Sequence, residues 1–339
     1  MNLKQRCIVK FKVFCNKSGP TILNFISPLW FLNCVIGVNY VADTIIWDYL
    51  YGAGTWMSLT AKCISTFMSF EMIINWIFLC TVRSTYVNTE DNNRKRLEHE
   101  KNFPQFNSDG ILYEELKERR PTLGTGNWSV ITHHKPEGVT RTAYPYWSWK
   151  PCVVCSFHKP PRCHHCPMCN ECVLKRDHHC FFARQCIGLY NQRFFVVFNF
   201  WSTCLTVLVA PQIIYYTYSA LWPTMTIGDL FLPWTLMRFI LGFTPFYTFY
   251  IILQVYSIIF FILTAGTFLY EQIKCIDMGL TSFETDNKAD DIKTECKSRY
   301  EKFACVFGRR PIIINFLIPF HWMSPPADDG ISWDTMKKE

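Results

Sequence analysis

Three stretches of this chain carry no charge: Ser18 to Ala42, Phe194 to Gly228 and Phe239 to Tyr270. Each is longer than the ~20 apolar residues needed to cross a bilayer. A fourth run, from about Met57 to Val82, is interrupted by Lys62 and Glu71. In lipid the backbone must satisfy its own amides, so runs of this length are read as helices. They place spans at about 22–46, 57–82, 194–220 and 245–270. Composition agrees, because a chain of 339 residues that is 50% hydrophobic and 17% aromatic is too apolar for an ordinary soluble domain. The expected fold is an all-α polytopic membrane protein with four transmembrane helices. Glu71 within a span is costly unless a polar group in the helix bundle meets it, and that pairing is the expectation here.

Charge placement sets the topology. Basic residues precede the first span (Lys4, Arg6, Lys10, Lys12, Lys17), fill the segment between the second and third, and follow the fourth. The positive-inside tendency then puts both termini and the central segment in the cytosol. The expected organisation is a cytosolic N-terminus at 1–21, helices 1 and 2 within 22–82 and a cytosolic linker at 83–149. A cysteine-rich zinc domain at 150–193, helices 3 and 4 with a lumenal connector at 194–270, and a cytosolic tail at 271–339 complete it. No cleavable signal peptide is expected, since basic residues run to position 17 and a full-length span follows. The expected location is the endomembrane system, the endoplasmic reticulum or Golgi. On this topology the sequons at Asn16 and Asn127 stay unglycosylated. A short helix is expected near Tyr113–Arg119, and an aromatic cluster (Tyr144, Tyr146, Trp147, Trp149) leads into the zinc domain. The net charge of +7 is spread along membrane boundaries, which argues against a nucleic-acid partner.

The chain has 17 cysteines, eight of them between Cys152 and Cys186. In a segment assigned to the reducing cytosol, metal binding and thiol chemistry are better readings than disulfides. Cys152, Cys155, His165 and Cys172 follow C-x2-C-x9-H-x6-C, and the spacing recurs fourteen residues later as Cys166, Cys169, His179 and Cys186. Each copy offers three thiolates and one imidazole, the ligand set of a closed tetrahedral zinc site, so two structural Zn2+ are expected. A third copy would begin at Cys180, but its other positions are Ala183, Arg193 and Phe200. Cys180 is therefore left beside a metal-braced scaffold with no metal to bind. The segment shows no helical or strand period, as expected of a domain ordered mainly by metal.

The tetrad Asp177-His178-His179-Cys180 gives the chain its resemblance to the DHHC protein S-acyltransferases (palmitoyltransferases). Further matches are Lys159-Pro160-Pro161-Arg162, Cys186-Ile187-Gly188 with Asn191, and the place of the block between spans two and three. Asp277-Met278-Gly279 and Thr281-Ser282-Phe283-Glu284 look like degenerate forms of the family's DPG and TTxE motifs. The resemblance implies that Cys180 takes an acyl chain, palmitoyl first of all, from acyl-CoA as a thioester. It then passes the chain to cysteines of membrane-proximal protein substrates. His178 is placed to accept the Cys180 proton or, as imidazolium, to stabilise the thiolate, and Asp177 to orient His178. His179 belongs to metal. The acyl chain would lie among the spans in contact with membrane lipid, and the CoA phosphates would meet Lys175, Arg176, Arg184 and Arg193, with Lys159 and Arg162 further back.

The chain departs from the family after the tetrad. Phe181-Phe182 stands where Pro-Trp is usual, and Gln185, preceded by Arg184, where Asn is usual. The loop keeps its length, so the zinc site should survive while the shape of the thiol site changes. Cys163, beside the ligands, is expected to be a buried filler, and His158 and His164 surface or packing residues. A zinc-braced interaction module would explain the eight ligands but not the unused Asp177, His178 and Cys180. An inactive membrane scaffold of the same fold is the alternative that the altered loop suggests. A metal transporter would carry its ligands inside the spans.

Overall fold

The computed structural model describes residues 3–102, 149–152, 154–286, 298–317 and 325–333. The Tyr113–Arg119 helix, the Asn127 sequon, and Tyr144, Tyr146 and Trp147 lie outside the described residues. Four helical stretches are long and apolar enough to cross a membrane: Thr21–Tyr51, Trp56–Thr81, Gln192–Thr224 and Phe246–Met278. The first combines α1 (Leu3–Val41), a π-helical turn (Ala42–Ile46) and α2 (Trp47–Tyr51), ending at Gly52 with φ 85°. The second is α3 (Trp56–Thr81), followed by the charged α4 (Glu90–Asn102). The third begins with α5 (Gln192–Tyr216) and the fourth is α7 (Phe246–Met278); between them lies α6 (Leu232–Ile240). Short helices α8 (Ser282–Asp286), α9 (Arg299–Phe307) and α10 (Ile312–Leu317) follow. The fourth helix runs past the apolar stretch through Glu271, Gln272 and Lys274, good helix formers that need no lipid to continue the ladder.

Contacts divide the chain into two compact units, one of which holds Pro28–Ile77 and Phe194–Glu271. Its centre is Phe31, fully buried, with rings from the other three long helices around it: Trp76 at 5.0 Å, Phe198 at 5.3 Å and Phe261 at 6.2 Å. The polar residues of its first two spans meet one another. Asp43 accepts from Ser65 at 3.0 Å, and Asp48 accepts from Ser58 at 2.6 Å and from Lys62 at 2.8 Å. Glu71 is buried beside Asn75, whose Nδ2 lies 3.4 Å from its carboxylate. The charges that interrupt the second span are thus matched by polar neighbours, as an apolar surrounding requires. In the connector Arg238 pairs with Asp229 at 2.8 Å, leaving Phe231, Trp234 and Ile240 exposed.

The other unit holds Met1–Ser27, Phe78–Arg193 and Gln272–Glu339. Three antiparallel hairpins form its middle: β1 (Lys150–Cys152) with β2 (Phe157–Lys159), β3 (His164–Cys166) with β4 (Glu171–Val173), and β5 (His179–Cys180) with β6 (Gln185–Cys186). Their registers repeat, as Cys152 pairs with Phe157, Cys166 with Glu171 and Cys180 with Gln185. Each turn ends in a left-handed residue: Ser156, Asn170 and Arg184, at φ 59°, 55° and 57°. The fourteen-residue period is therefore a repeated knuckle. The third copy keeps the fold and loses its second thiol, because Ala183 stands where the others have Cys155 and Cys169. Strands of two or three residues are too short to show alternation, which is why the segment carries no strand period.

Tyr86, Trp149, Cys152, Cys163, Cys172, Leu174, Leu189 and Ile331 form the apolar core of this unit, with Cys163 as a small buried filler. Ile331 brings the segment 325–333 into the core. Gly330, at φ 78°, lies so close that an added Cβ would sit 2.5 Å from Leu189 Cδ2. The chain after α3 joins the hairpins through backbone bonds, from Leu174 to the Ser84 carbonyl and from Tyr86 to the Cys172 carbonyl, each 2.8 Å.

Candidate active site and metal centres

The repeated knuckles gather two four-residue clusters, Cys152, Cys155, His165 and Cys172, and Cys166, Cys169, His179 and Cys186, each with its donor atoms within 4.8 Å of one another. Their spacing can be compared with a zinc tetrahedron, whose edges are about 3.8 Å between sulfurs and about 3.5 Å from sulfur to nitrogen. In the first cluster Cys155 Sγ lies 3.3 Å and Cys172 Sγ 3.9 Å from His165 Nδ1, with the two sulfurs 3.7 Å apart. In the second, His179 Nδ1 lies 3.7, 3.3 and 3.8 Å from Cys166, Cys169 and Cys186. Both clusters fit a tetrahedral ion with soft ligands, and both can hold a metal. With Nδ1 turned to the sulfurs, His179 Nε2 donates to Asn24 Oδ1 at 3.0 Å. An outer partner of this kind fixes the tautomer and the ring orientation.

Cys180 ends β5 and is largely buried, 7% exposed. Neither cluster includes it. Two residues back, His178 Nδ1 lies 2.7 Å from Asp177 Oδ2. The Asp177 carboxylate is buried and heavily solvated by protein donors, namely Gln272 Nε2 at 2.7 Å, the Ser282 amide at 2.5 Å and the Ser282 hydroxyl at 3.1 Å. Burial works against the imidazolium of His178. Hydrogen bonds to Asp177 and to Cys180 outweigh it and push its pKa up to about 10. Burial opposes the Asp177 carboxylate as well, but its bond to His178 keeps its pKa below the usual range. The set can therefore hold a cation beside a sulfur, with a fixed anion behind it.

The tail supplies the support. Thr281 and Glu284 make a capping box at the start of α8, with the Thr281 amide donating to Glu284 Oε2 at 2.8 Å and the Glu284 amide to Thr281 Oγ1 at 3.2 Å. The same carboxylate receives Arg162 Nε and Nη2, both at 2.6 Å, and both side chains are 1% exposed. Arg162 also donates to the Gly279 carbonyl at 3.1 Å and lies over the Trp333 ring at 4.5 Å. The box thus turns Ser282 towards Asp177 and ties the tail to the hairpins. Of the four cations assigned to CoA, Arg184 alone is exposed. Lys175 and Arg193 are buried, and Arg176 places Nε 3.4 Å from Cys186 Sγ. Lys159 and Arg162 are buried too. His164 packs on Phe283 at 4.3 Å. Sequence reasoning missed Gln272, Asn24 and the Gln185 side chain as members of the site. Asn24 had a visible signal, a carboxamide in an otherwise apolar run, whereas nothing marks Gln272 among helix-surface residues.

The profile of the DHHC palmitoyltransferases matches residues 147–289. "Probable protein S-acyltransferase 12" of Arabidopsis thaliana is 30% identical over 317 residues, covering 91% of this chain and 90% of the relative. "Palmitoyltransferase ZDHHC20-B" of Danio rerio is 29% identical over 181 residues, 53% of this chain and 51% of its own. "Probable protein S-acyltransferase 5" of Arabidopsis thaliana reaches 50% over 106 residues, 30% of this chain and 22% of its own.

Proposed function

The chain belongs to the DHHC palmitoyltransferase family, and on that premise we propose that it moves a long-chain acyl group, palmitoyl foremost, from acyl-CoA to protein cysteines through a thioester on Cys180. The observation that carries this reading is the Asp177–His178 pair beside a cysteine that neither metal cluster takes up. The Cys180 thiolate adds to the thioester carbonyl of the donor, the carbon–sulfur bond to CoA breaks, and the CoA thiolate leaves. A substrate cysteine then attacks the Cys180 thioester, its thiol proton passing to the His178 left neutral by the first step, and the enzyme thiolate is regenerated. His178, held as imidazolium by Asp177, stabilises the sulfur anion before attack and supplies a proton to the departing thiolate. Asp177 stays ionised and sets the ring orientation.

The eight clustered residues would hold two structural zinc ions, which brace the hairpins and take no part in bond exchange. Arg184 is the foremost candidate for CoA phosphates, followed by Arg176, Lys175 and Arg193. Membrane lipid surrounds the four helices, and the protein substrates present cysteines near the membrane, on the cytosolic side of the endoplasmic reticulum or Golgi. The test is release of free CoA from palmitoyl-CoA in detergent micelles. Wild type releases it and Cys180→Ser does not. Equal release by both proteins would remove Cys180 from the reaction.

A further inference from the structure

Two of the three knuckles close on a metal cluster, whereas the third, which carries Cys180, has Ala183 in place of the second thiol. Its strands hold the cluster ligands His179 and Cys186, paired across the base of the hairpin, so metal can brace the base but not the turn. Gln185 pairs with Cys180 across the hairpin and is 6% exposed. Its Nε2 donates to the Leu79 carbonyl and, at 3.1 Å, to the Val82 carbonyl. Leu79 lies in the last turn of α3 and Val82 directly follows the helix, where a helix leaves its last acceptors without amide partners. Asn191 Nδ2 reaches the same Val82 carbonyl at 3.1 Å and the Cys186 carbonyl at 3.0 Å. The end of α3 thus borders the hairpin at its thiol.

We propose that Gln185 is a positioning residue that does for the turn end of the Cys180 knuckle what a cysteine pair does for the other two, docking it on the carbonyls at the end of α3 so that the sulfur is held in one place. The family's usual asparagine is one methylene shorter. The inference rests on the reading of Cys180 as the acyl carrier.

Rapid-mixing measurement of acyl loading onto Cys180 over a range of palmitoyl-CoA concentrations, with zinc content read in parallel, tests it. Gln185→Leu removes both donors at similar size, and Gln185→Glu keeps the shape but cannot donate. In both variants the loading rate at saturating donor should fall about tenfold or more, as for a reacting group shifted by a fraction of an ångström. The half-saturating donor concentration should stay within about twofold, since no donor contact is lost. Zinc content should stay at that of the wild type. Variants that load at the wild-type rate overturn the inference, as do variants that shed zinc, because Gln185 would then be a determinant of folding. A zinc-replete wild type that loads nothing overturns the functional reading and the inference together.

Discussion

Asp177 accepts three hydrogen bonds besides its contact with His178, and that crowding sets the roles at the residue scale. A carboxylate receiving Gln272 and two bonds from Ser282 is anchored independently of the histidine, so it offers His178 a fixed partner. His178→Ala should slow acyl loading by about 100-fold or more, within the usual range for a lost acid–base group, while zinc content is unchanged. An unaltered rate would exclude it from the chemistry. Asn24 acts on the other histidine. Asn24→Leu should weaken zinc retention at the second cluster by about 10- to 100-fold, read as faster release to a chelator with half the metal unaffected. If both metals leave at wild-type rates, the Asn24 bond contributes nothing to the site. The fourteen-residue repeat marked His179 as a candidate ligand, because ligand spacing is local in sequence, whereas His178 stood out only by its place two residues before Cys180 in the tetrad. Asn24 and Gln272 were not legible, since their partners lie far along the chain and a lone amide in a helix has many possible uses.

Short elements carry the tail's contribution. The stretch Thr281-Ser282-Phe283-Glu284 was recognisable as a motif, but its physics became visible only in three dimensions. It is a capping box whose glutamate is shared with the buried Arg162. Breaking such a pair from one side strands a charge, at about 3–5 kcal/mol. Glu284→Gln should therefore lower the melting temperature of the cysteine-rich block markedly and, by releasing Ser282, slow loading as well. A variant as stable and active as wild type would contradict the clamp. The hairpins show the limit of pattern reading at this scale. Strands of two or three residues hold no period, yet the left-handed Ser156, Asn170 and Arg184 sit at one position of the repeat. The last helix shows the opposite limit. The sequence ends it with its apolar run at about residue 270, while helix-forming residues carry it to Met278 and so bring Gln272 to Asp177.

At the scale of the whole molecule the two units are ordered by different forces. Four apolar helices follow from long hydrophobic runs, three of them free of charge, and they were legible in the sequence. The cysteine-rich unit has a modest apolar core (eight buried side chains in one cluster) and two clusters that can hold metal. Its folding energy is expected to come largely from the ions. Stripping metal with a strong chelator should abolish loading and expose the block to protease while the helical far-ultraviolet signal is largely kept. Joint loss of helicity would mean that the spans depend on the metal too. The central claim is that Cys180, spared by both clusters, carries the acyl group. Mass-spectrometric mapping of wild type and Cys180→Ser after exposure to palmitoyl-CoA tests it most directly. The account predicts a hydroxylamine-labile palmitoyl adduct on the Cys180 peptide of wild type and none in the variant, with equal zinc in both proteins. A zinc-replete wild type with no adduct on Cys180, or an adduct at another cysteine that persists in Cys180→Ser with unchanged turnover, would contradict it.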